Sequence, residues 1–310
     1  MKDKYESIYV IVTKSCQLHC SFCYNSFIPY FKEKDDSLID PIQTAKVIDK
    51  LNVSNVIFHG GEPLLYPETI IEVIENVKNK NVFFSIQTNL AYDELNKKQL
   101  EALCKARYYG TSYNLDRFIG NKKLEEKWVN NVKFLDSFNI SSGVIFTITP
   151  LQLKEDPKQV MKYLIDELGI DSVTIERVIY PIEEQKKDPK KYKEIYKAID
   201  EYMLALYKYC PDKKKLNLYH SVKNCIQEGA SMLPNNCHEF TCTLTKDKLI
   251  SGCPSLESRV NNPSHKAECK KCNLYQFCQE DCECMRIVCA FPKKTFGYIA
   301  TDIIEELDEQ

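Results

Sequence analysis

The segment Lys14–Asn25, KSCQLHCSFCYN, holds Cys16, Cys20 and Cys23, three thiols within eight residues. Three cysteines in one loop cannot all pair off as disulfides. Three thiolates can hold three irons of a [4Fe–4S] cube and leave the fourth iron open, whereas protein clusters normally take four cysteines. An open iron is a coordination site for a substrate or cofactor. Zinc is the competing metal. Structural zinc ligands come as separated pairs, C-x2–4-C with a distant partner pair, and a lone C-x3-C-x2-C run fits that poorly. A second set lies late in the chain: Cys269-x2-Cys272-x5-Cys278-x3-Cys282, with Cys237, Cys242 and Cys253 upstream and Cys284 and Cys289 downstream. Zinc competes more strongly there, because Cys269-x2-Cys272 and nearby thiols have the makings of a zinc ribbon.

These sets have to be positioned by a chain of 310 residues with a formal charge of −2. That length suits one large or two medium domains. Near-neutral charge argues against a nucleic-acid binder that works through phosphate contacts. The lysine runs Lys186–Lys193 and Lys213–Lys215 alternate with Asp, Glu and Pro and read as solvated faces. The opening MKDKYESIYVIV is too short and charged for a signal peptide. No apolar run approaches the ~20 residues of a membrane helix. A reducing, cytoplasmic location is expected. In that setting 15 cysteines point to metal ligation more than to a disulfide framework. Nine of them fall between Cys237 and Cys289, which predicts two domains with separate metal chemistry, 5–210 and 211–310.

From Ser7 to Cys210, β-type runs alternate with amphipathic helical runs. The strand candidates are SIYVIVTKS, NVIFHG, VFFSIQTN, YYGTSYN, SGVIFTITP and SVTIERVIYP. The helical patterns are PIQTAKVIDKL, ETIIEVIENVKN, KKQLEALCKA, KLEEKWVNNVKFLDSF, DPKQVMKYLIDELG and YKEIYKAIDEYMLALYKY. Six β-then-α units predict a parallel sheet flanked by helices, either an open partial barrel or a doubly wound sheet. After Pro211 the pattern changes to short apolar runs rich in Cys, Asn and Pro, with one hairpin signal, TLTKDKLISG, and a closing amphipathic helix, IATDIIEELDEQ. Metal ligation would supply folding energy that such a segment lacks. Cys104 and Cys210 read as buried small apolar residues; Cys225 has no assignment. In the first region Cys16 lies where the first strand runs out, His59-Gly60-Gly61-Glu62-Pro63 ends the second, and Gln87-Thr88-Asn89 ends the third. In parallel β/α folds that C-terminal rim is where active sites collect. His59 reads as a packed strand-end residue. Glu176 and Arg177, near the end of the sixth strand, either face the cavity or pair with each other.

Cys16-x3-Cys20-x2-Cys23, with Phe22 before the last cysteine, resembles the signature of the radical S-adenosylmethionine (radical SAM) enzymes, and Gly60-Gly61-Glu62-Pro63 resembles their glycine-rich second motif. The resemblance implies a partial (β/α)6 TIM-type barrel. It also implies that the open iron chelates the amino and carboxylate groups of S-adenosylmethionine. One electron from the cluster would cleave the S–C5′ bond, and the 5′-deoxyadenosyl radical would abstract a substrate hydrogen. On this analogy Gly60 and Gly61 let the backbone approach the bound methionine, and carbonyls there, with Glu62, meet its ammonium group. Thr88-Asn89 resembles the family's Thr-Asn-Gly, with Leu90 in place of Gly. Asn114-Leu115-Asp116 stands where relatives carry Ser-Leu-Asp-Gly, so Asn114 and Arg117 are further candidate cofactor ligands. No catalytic base is assigned.

The late cysteines resemble the SPASM domain, a C-terminal extension with two auxiliary [4Fe–4S] clusters. Carried over, Cys237, Cys242, Cys253 and Cys282 would hold the first, and Cys269, Cys272, Cys278 and Cys289 the second, with Cys284 the spare or the alternative to Cys289. Three cubes are thus expected, with a flavodoxin- or ferredoxin-type reductant. Related SPASM enzymes mostly act on peptides, so a thioether- or carbon–carbon-crosslinking peptide maturase is expected. Dehydrogenation or other modification of a small molecule is the alternative. Pro254 follows Cys253 where sulfatase-maturing relatives carry Asp, which counts against that chemistry. With the barrel starting by about Ser7, recruitment by a separate leader-binding protein, or leader-free binding, is expected.

Overall fold

The computed structural model describes residues 5–27, 29–32, 38–178, 180–228, 241–247, 249–251 and 292–308. All six expected strands form: β1 (Ser7–Thr13), β2 (Asn55–Gly60), β3 (Phe83–Thr88), β4 (Tyr108–Tyr113), β5 (Ser141–Ile148) and β6 (Ser172–Arg177). The hairpin signal becomes β7 (Thr241–Leu244) and β8 (Leu249–Ser251). Helices alternate with the strands: α1 (Pro41–Leu51), α2 (Pro67–Asn76), α3 (Lys97–Ala106), α4 (Lys122–Asp136), α5 (Pro157–Lys162) and α6 (Pro189–Tyr209), followed by α7 (Asn217–Glu228) and α8 (Lys293–Asp308). The strand order is linear, β6-β5-β4-β3-β2-β1-β7-β8, so the sheet is open, as a partial barrel requires.

The chain groups into two compact units. One comprises Met1–Ser112, Arg117–Val144 and Asn236–Glu257; the other comprises Tyr113–Asp116, Ile145–Asn235 and Ser258–Gln310. In the first unit β1 pairs in parallel with β2, β2 with β3 and β3 with β4, while β7 flanks β1 in parallel and β8 returns antiparallel. Alternate residues explain the packing. Ile8, Val10, Val12, Val56, Phe58 and Ile86 are buried. The rows between them, Tyr9, Ile57, His59 and Gln87, stay only half-buried. Apolar residues of α1 (Ala45, Ile48), α2 (Ile70, Ile71, Val73) and α3 (Ala102, Leu103) complete the core.

Local chemistry sets the helix ends. Asp40 caps α1 by accepting from Gln43 N–H, with Pro41 in the first turn and Asn52 left-handed at the end. Asn96 and Gln99 form a reciprocal capping box on α3.

In the second unit the C-terminal helix is fastened by its acidic face. Asp302 of α8 accepts from the Tyr207 hydroxyl and from Lys213, each at 2.6 Å, and Glu306 accepts from Tyr219 of α7 at 2.7 Å. Lys215 donates to the Ile170 carbonyl at 3.0 Å, so the run Lys213–Lys215 is not simply a solvated face. Helix α7 is an addition to the expected elements. Cys210 and Cys225 are buried, but Cys104 is exposed, contrary to expectation: it sits on α3 away from the apolar stripe formed by Ala102, Leu103 and Ala106. Among the described residues no helix is long and apolar enough to cross a membrane.

Candidate active site

The cysteine loop leaves β1 at Thr13, and the exit of β2 packs directly on its root. Gly61 N–H donates to the Thr13 carbonyl at 2.9 Å and Glu62 N–H to the Ser15 carbonyl at 2.8 Å. A Cβ on Gly60 would stand 2.2 Å from the Thr13 oxygen, and one on Gly61 would stand 2.1 Å from the Ser15 oxygen. Gly60 also has φ +143°, a conformation that side chains resist. Both glycines are therefore demanded by the protein's own backbone, which fills the space a side chain would need. Asn25, at the far end of the loop, donates to the Gly60 carbonyl at 3.0 Å.

Glu62 ties this junction to β3. Its carboxylate is fully buried. Oε1 accepts from Leu64 N–H at 3.0 Å and from the Thr88 hydroxyl at 2.7 Å, and Oε2 accepts from Asn89 N–H at 2.7 Å. Burial pushes the carboxyl pKa up, while these donors pull it down. The Tyr92 hydroxyl adjoins Glu62 and Gln17, and burial raises its pKa as well. Pro63 opens the short turn that Glu62 caps.

Thr88 also accepts from Leu90 N–H at 3.2 Å. Leu90 has φ +52°, the conformation that glycine would take most easily, and its side chain is wholly buried. The left-handed residue after Asn89 is thus a leucine, at a strain of about 1 kcal/mol. Asn131 of α4 holds the turn in place by donating to the carbonyls of Leu90 at 3.1 Å and Tyr92 at 2.9 Å.

Asn89 reaches the cysteine loop itself. Its Nδ2 lies 3.6 Å from Cys16 Sγ, and it exchanges two amide bonds with Gln17, each 3.2 Å. Leu18 N–H also donates to Cys16 Sγ, at 3.4 Å. Burial raises the Cys16 thiol pKa, against the Leu18 bond. Burial likewise raises Cys23, opposed first by the backbone N–H of Asn25 and also by Arg117. Arg117 donates to the Ser112 carbonyl at 2.9 Å and lies 6.0 Å from the centre of the Phe22 ring. Half-buried thiols ringed by N–H donors and a guanidinium suit an anionic iron–sulfur cube. Among the described residues no Cys, His, Asp and Glu group closes on a single metal ion. A cube asks less of the thiols, since each binds a different iron.

Of the remaining candidates, His59 touches this network, its Nδ1 accepting from Gly60 N–H at 2.6 Å. His59 packs edge-to-face on Tyr9 at 6.0 Å, and burial depresses its pKa to about 4, so it is neutral near pH 7. Asn114 is fully buried in the second unit. It donates to the Thr147 carbonyl at 2.6 Å and accepts from Asp116 N–H at 2.8 Å. Asp116 accepts from the Thr149 hydroxyl, and Gln152 accepts from Leu115 N–H at 3.1 Å. Glu176 is exposed at the end of β6. Cys242, on β7, is fully buried, and burial pushes its thiol up to about 12. Cys237, Cys253, Cys269, Cys272, Cys278, Cys282, Cys284 and Cys289 lie outside the described residues. Gln17, Asn25, Tyr92 and Asn131 join the site without being among the motif residues that mark it in the sequence. Gln17 sits inside the cysteine motif and Asn25 two residues beyond it. Asn131 carried a signal of its own, a polar residue on the buried stripe of a helix.

The family model described as the radical SAM superfamily matches residues 10–164, half of the chain, from within β1 through β2, β3 and β4. The chain belongs to the radical SAM superfamily. Membership implies a [4Fe–4S] cluster and S-adenosylmethionine as cofactors. Among curated proteins, this radical SAM chain is 29% identical over 191 residues to an uncharacterized protein of Methanocaldococcus jannaschii, covering 57% of this chain and 64% of that one. It is 33% identical over 101 residues to a probable GTP 3′,8-cyclase of the same organism, covering 29% of this chain and 31% of that one. The alignments thus span less than two thirds of either relative. Among solved structures, native anSMEcpe with bound AdoMet and Cp18Cys peptide superposes with TM-score 0.65 at 16% identity, covering 97% of this chain and 98% of that one. Streptococcus suis SuiB bound to precursor peptide SuiA gives 0.54 at 13% identity, covering 91% and 72%. At such identities the likeness is one of fold.

Proposed function

We propose that this radical SAM enzyme oxidatively modifies a peptide, with a cluster held by Cys16, Cys20 and Cys23. When bound, the cluster and S-adenosylmethionine supply a carbon-centred radical by one-electron cleavage of the sulfonium. The chain's own part is to fix the cysteine loop. Gly60 and Gly61 clamp its root, Glu62 joins it to β3, Asn25 holds its far end, and Arg117 lowers the cost of the Cys23 thiolate. The observation that carries the peptide reading is the fold match over nearly the full length of a structure that holds both AdoMet and a peptide. Thioether or carbon–carbon crosslinking is the finer expectation. It goes with two auxiliary clusters on the late cysteines, a flavodoxin- or ferredoxin-type reductant and a separate leader-binding protein. The local match to a probable GTP 3′,8-cyclase favours a second reading, a small-molecule substrate.

Anaerobic reconstitution tests both. Reduced protein with S-adenosylmethionine should form 5′-deoxyadenosine, and candidate peptides should raise its rate and lose hydrogen mass. Iron near about twelve per chain supports three cubes, and iron near about four leaves one. Failure to form 5′-deoxyadenosine with an intact cluster would falsify the radical reading. Acceleration by a nucleotide and by no peptide would favour the second reading.

A further inference from the structure

The family resemblance makes Asn89 a candidate cofactor contact, and its side chain meets a cysteine, Nδ2 to Cys16 Sγ at 3.6 Å. Its orientation is fixed from within the protein. Ala91 N–H can only donate, and it meets Asn89 Oδ1 at 2.8 Å. The opposite end of the amide must then be the nitrogen. That nitrogen has two hydrogens and two partners, Gln17 Oε1 and Cys16 Sγ. Gln17 Nε2 returns a bond to Asn89 Oδ1, so the two amides lock each other. Asn89 N–H is in turn held by the buried Glu62 carboxylate, and the left-handed Leu90 that follows begins the turn closed by Ala91. These bonds hold the amide toward the sulfur, and Asn89 is 8% exposed.

An N–H directed at a ligand sulfur withdraws electron density from it and stabilises the reduced, more negative cluster. Hydrogen bonds to sulfur are among the factors that set cluster potentials. We propose that Asn89 is a positioning residue for the cluster: with Gln17 it orients Cys16 and raises the reduction potential of the metal site through an N–H···S bond. The inference rests on the reading that Cys16, Cys20 and Cys23 hold that cluster.

The test is a reductive titration of the reconstituted full chain followed by electron paramagnetic resonance. The signal that changes on adding S-adenosylmethionine identifies the open cluster. Wild type is measured first, and absence of any such signal there would count against the functional reading itself, before a variant is made. In Asn89→Ala the midpoint of that signal should move to a more negative potential while iron content and S-adenosylmethionine affinity stay within twofold. In Asn89→Ser the hydroxyl can still accept from Ala91 N–H but is too short to reach the sulfur, so the same negative shift is expected even if the alanine variant folds poorly. An unchanged midpoint in a loaded variant overturns the proposal. So does a tenfold loss of S-adenosylmethionine affinity without a shift, which would make Asn89 a cofactor contact instead.

Discussion

Two strand-end networks, one in each unit, use similar residues to different ends. After β3, Thr88 and Asn89 are bound to Glu62, Gln17 and Cys16, residues that come from other strand exits and from the cysteine loop. After β4, Asn114 and Asp116 are bound to Thr147 and Thr149, at the end of β5 and just beyond. The first network fastens the cysteine loop that is proposed to hold the cluster. The second joins neighbouring chain segments, with Asn114 sealed from solvent and both ends of its amide engaged. Strand-end asparagines of one sequence class can thus serve a site or serve the frame, and only their partners distinguish the two.

The contrast can be broken most forcefully at the loop. Cys16→Ala should lower iron by about four per chain and bring 5′-deoxyadenosine formation to background, read by iron assay and chromatography. Glu62→Ala leaves the donors of Thr88, Leu64 and Asn89 without their buried acceptor. A stability loss on the order of 3–5 kcal/mol is expected in denaturant titration, together with poor cluster loading. Gly61→Ala forces a Cβ against the Ser15 carbonyl, and a loss of about 3 kcal/mol is expected, the upper end for overpacking. If its melting temperature matched wild type, the clamp at the loop root would be disproved. Asn114→Ala should cost about 1–3 kcal/mol and leave iron content unchanged, which sharpens the difference between the networks. A variant that lost its cluster would erase that difference.

A smaller effect is expected at the C-terminal helix. Burial pushes the Asp302 carboxyl up, but Lys213 and Tyr207 more than reverse it, so its folded pKa lies below the ordinary carboxylate range. The contribution is therefore present above the unfolded pKa, near ~3.9, and is lost as pH falls through the lower folded value. Asp302→Asn should lower stability by about 1 kcal/mol at pH 7 and flatten the acid limb of the stability profile below about pH 4. An identical acid limb in wild type and variant would show that another group governs it.

Six strands and six helices were legible because β-branched runs and 3.6-residue periodicity recur in alternation, and both halves of the hairpin carried their signal. Helix α7 was not legible: its Asn, Lys and Cys content hides an apolar face that only packing exposes. Exposure of Cys104 was missed because thiols are buried by default, while its register on α3 placed it outward. At the site, the residue types of Cys16, Gly60, Gly61, Glu62 and Asn89 were visible, but their partners were not. The two glycines stand out by type, but their packing against the carbonyls of Thr13 and Ser15 shows only in the fold. Such contacts join residues about 45 positions apart, and no local pattern encodes them.

Leu90 has a wider implication for recognising kindred chains. What the turn after β3 requires is a dihedral angle, and a large aliphatic side chain can meet that requirement if the interior rewards its bulk. A search template that insists on glycine there would discard any chain that, like this one, makes the bend with a buried leucine.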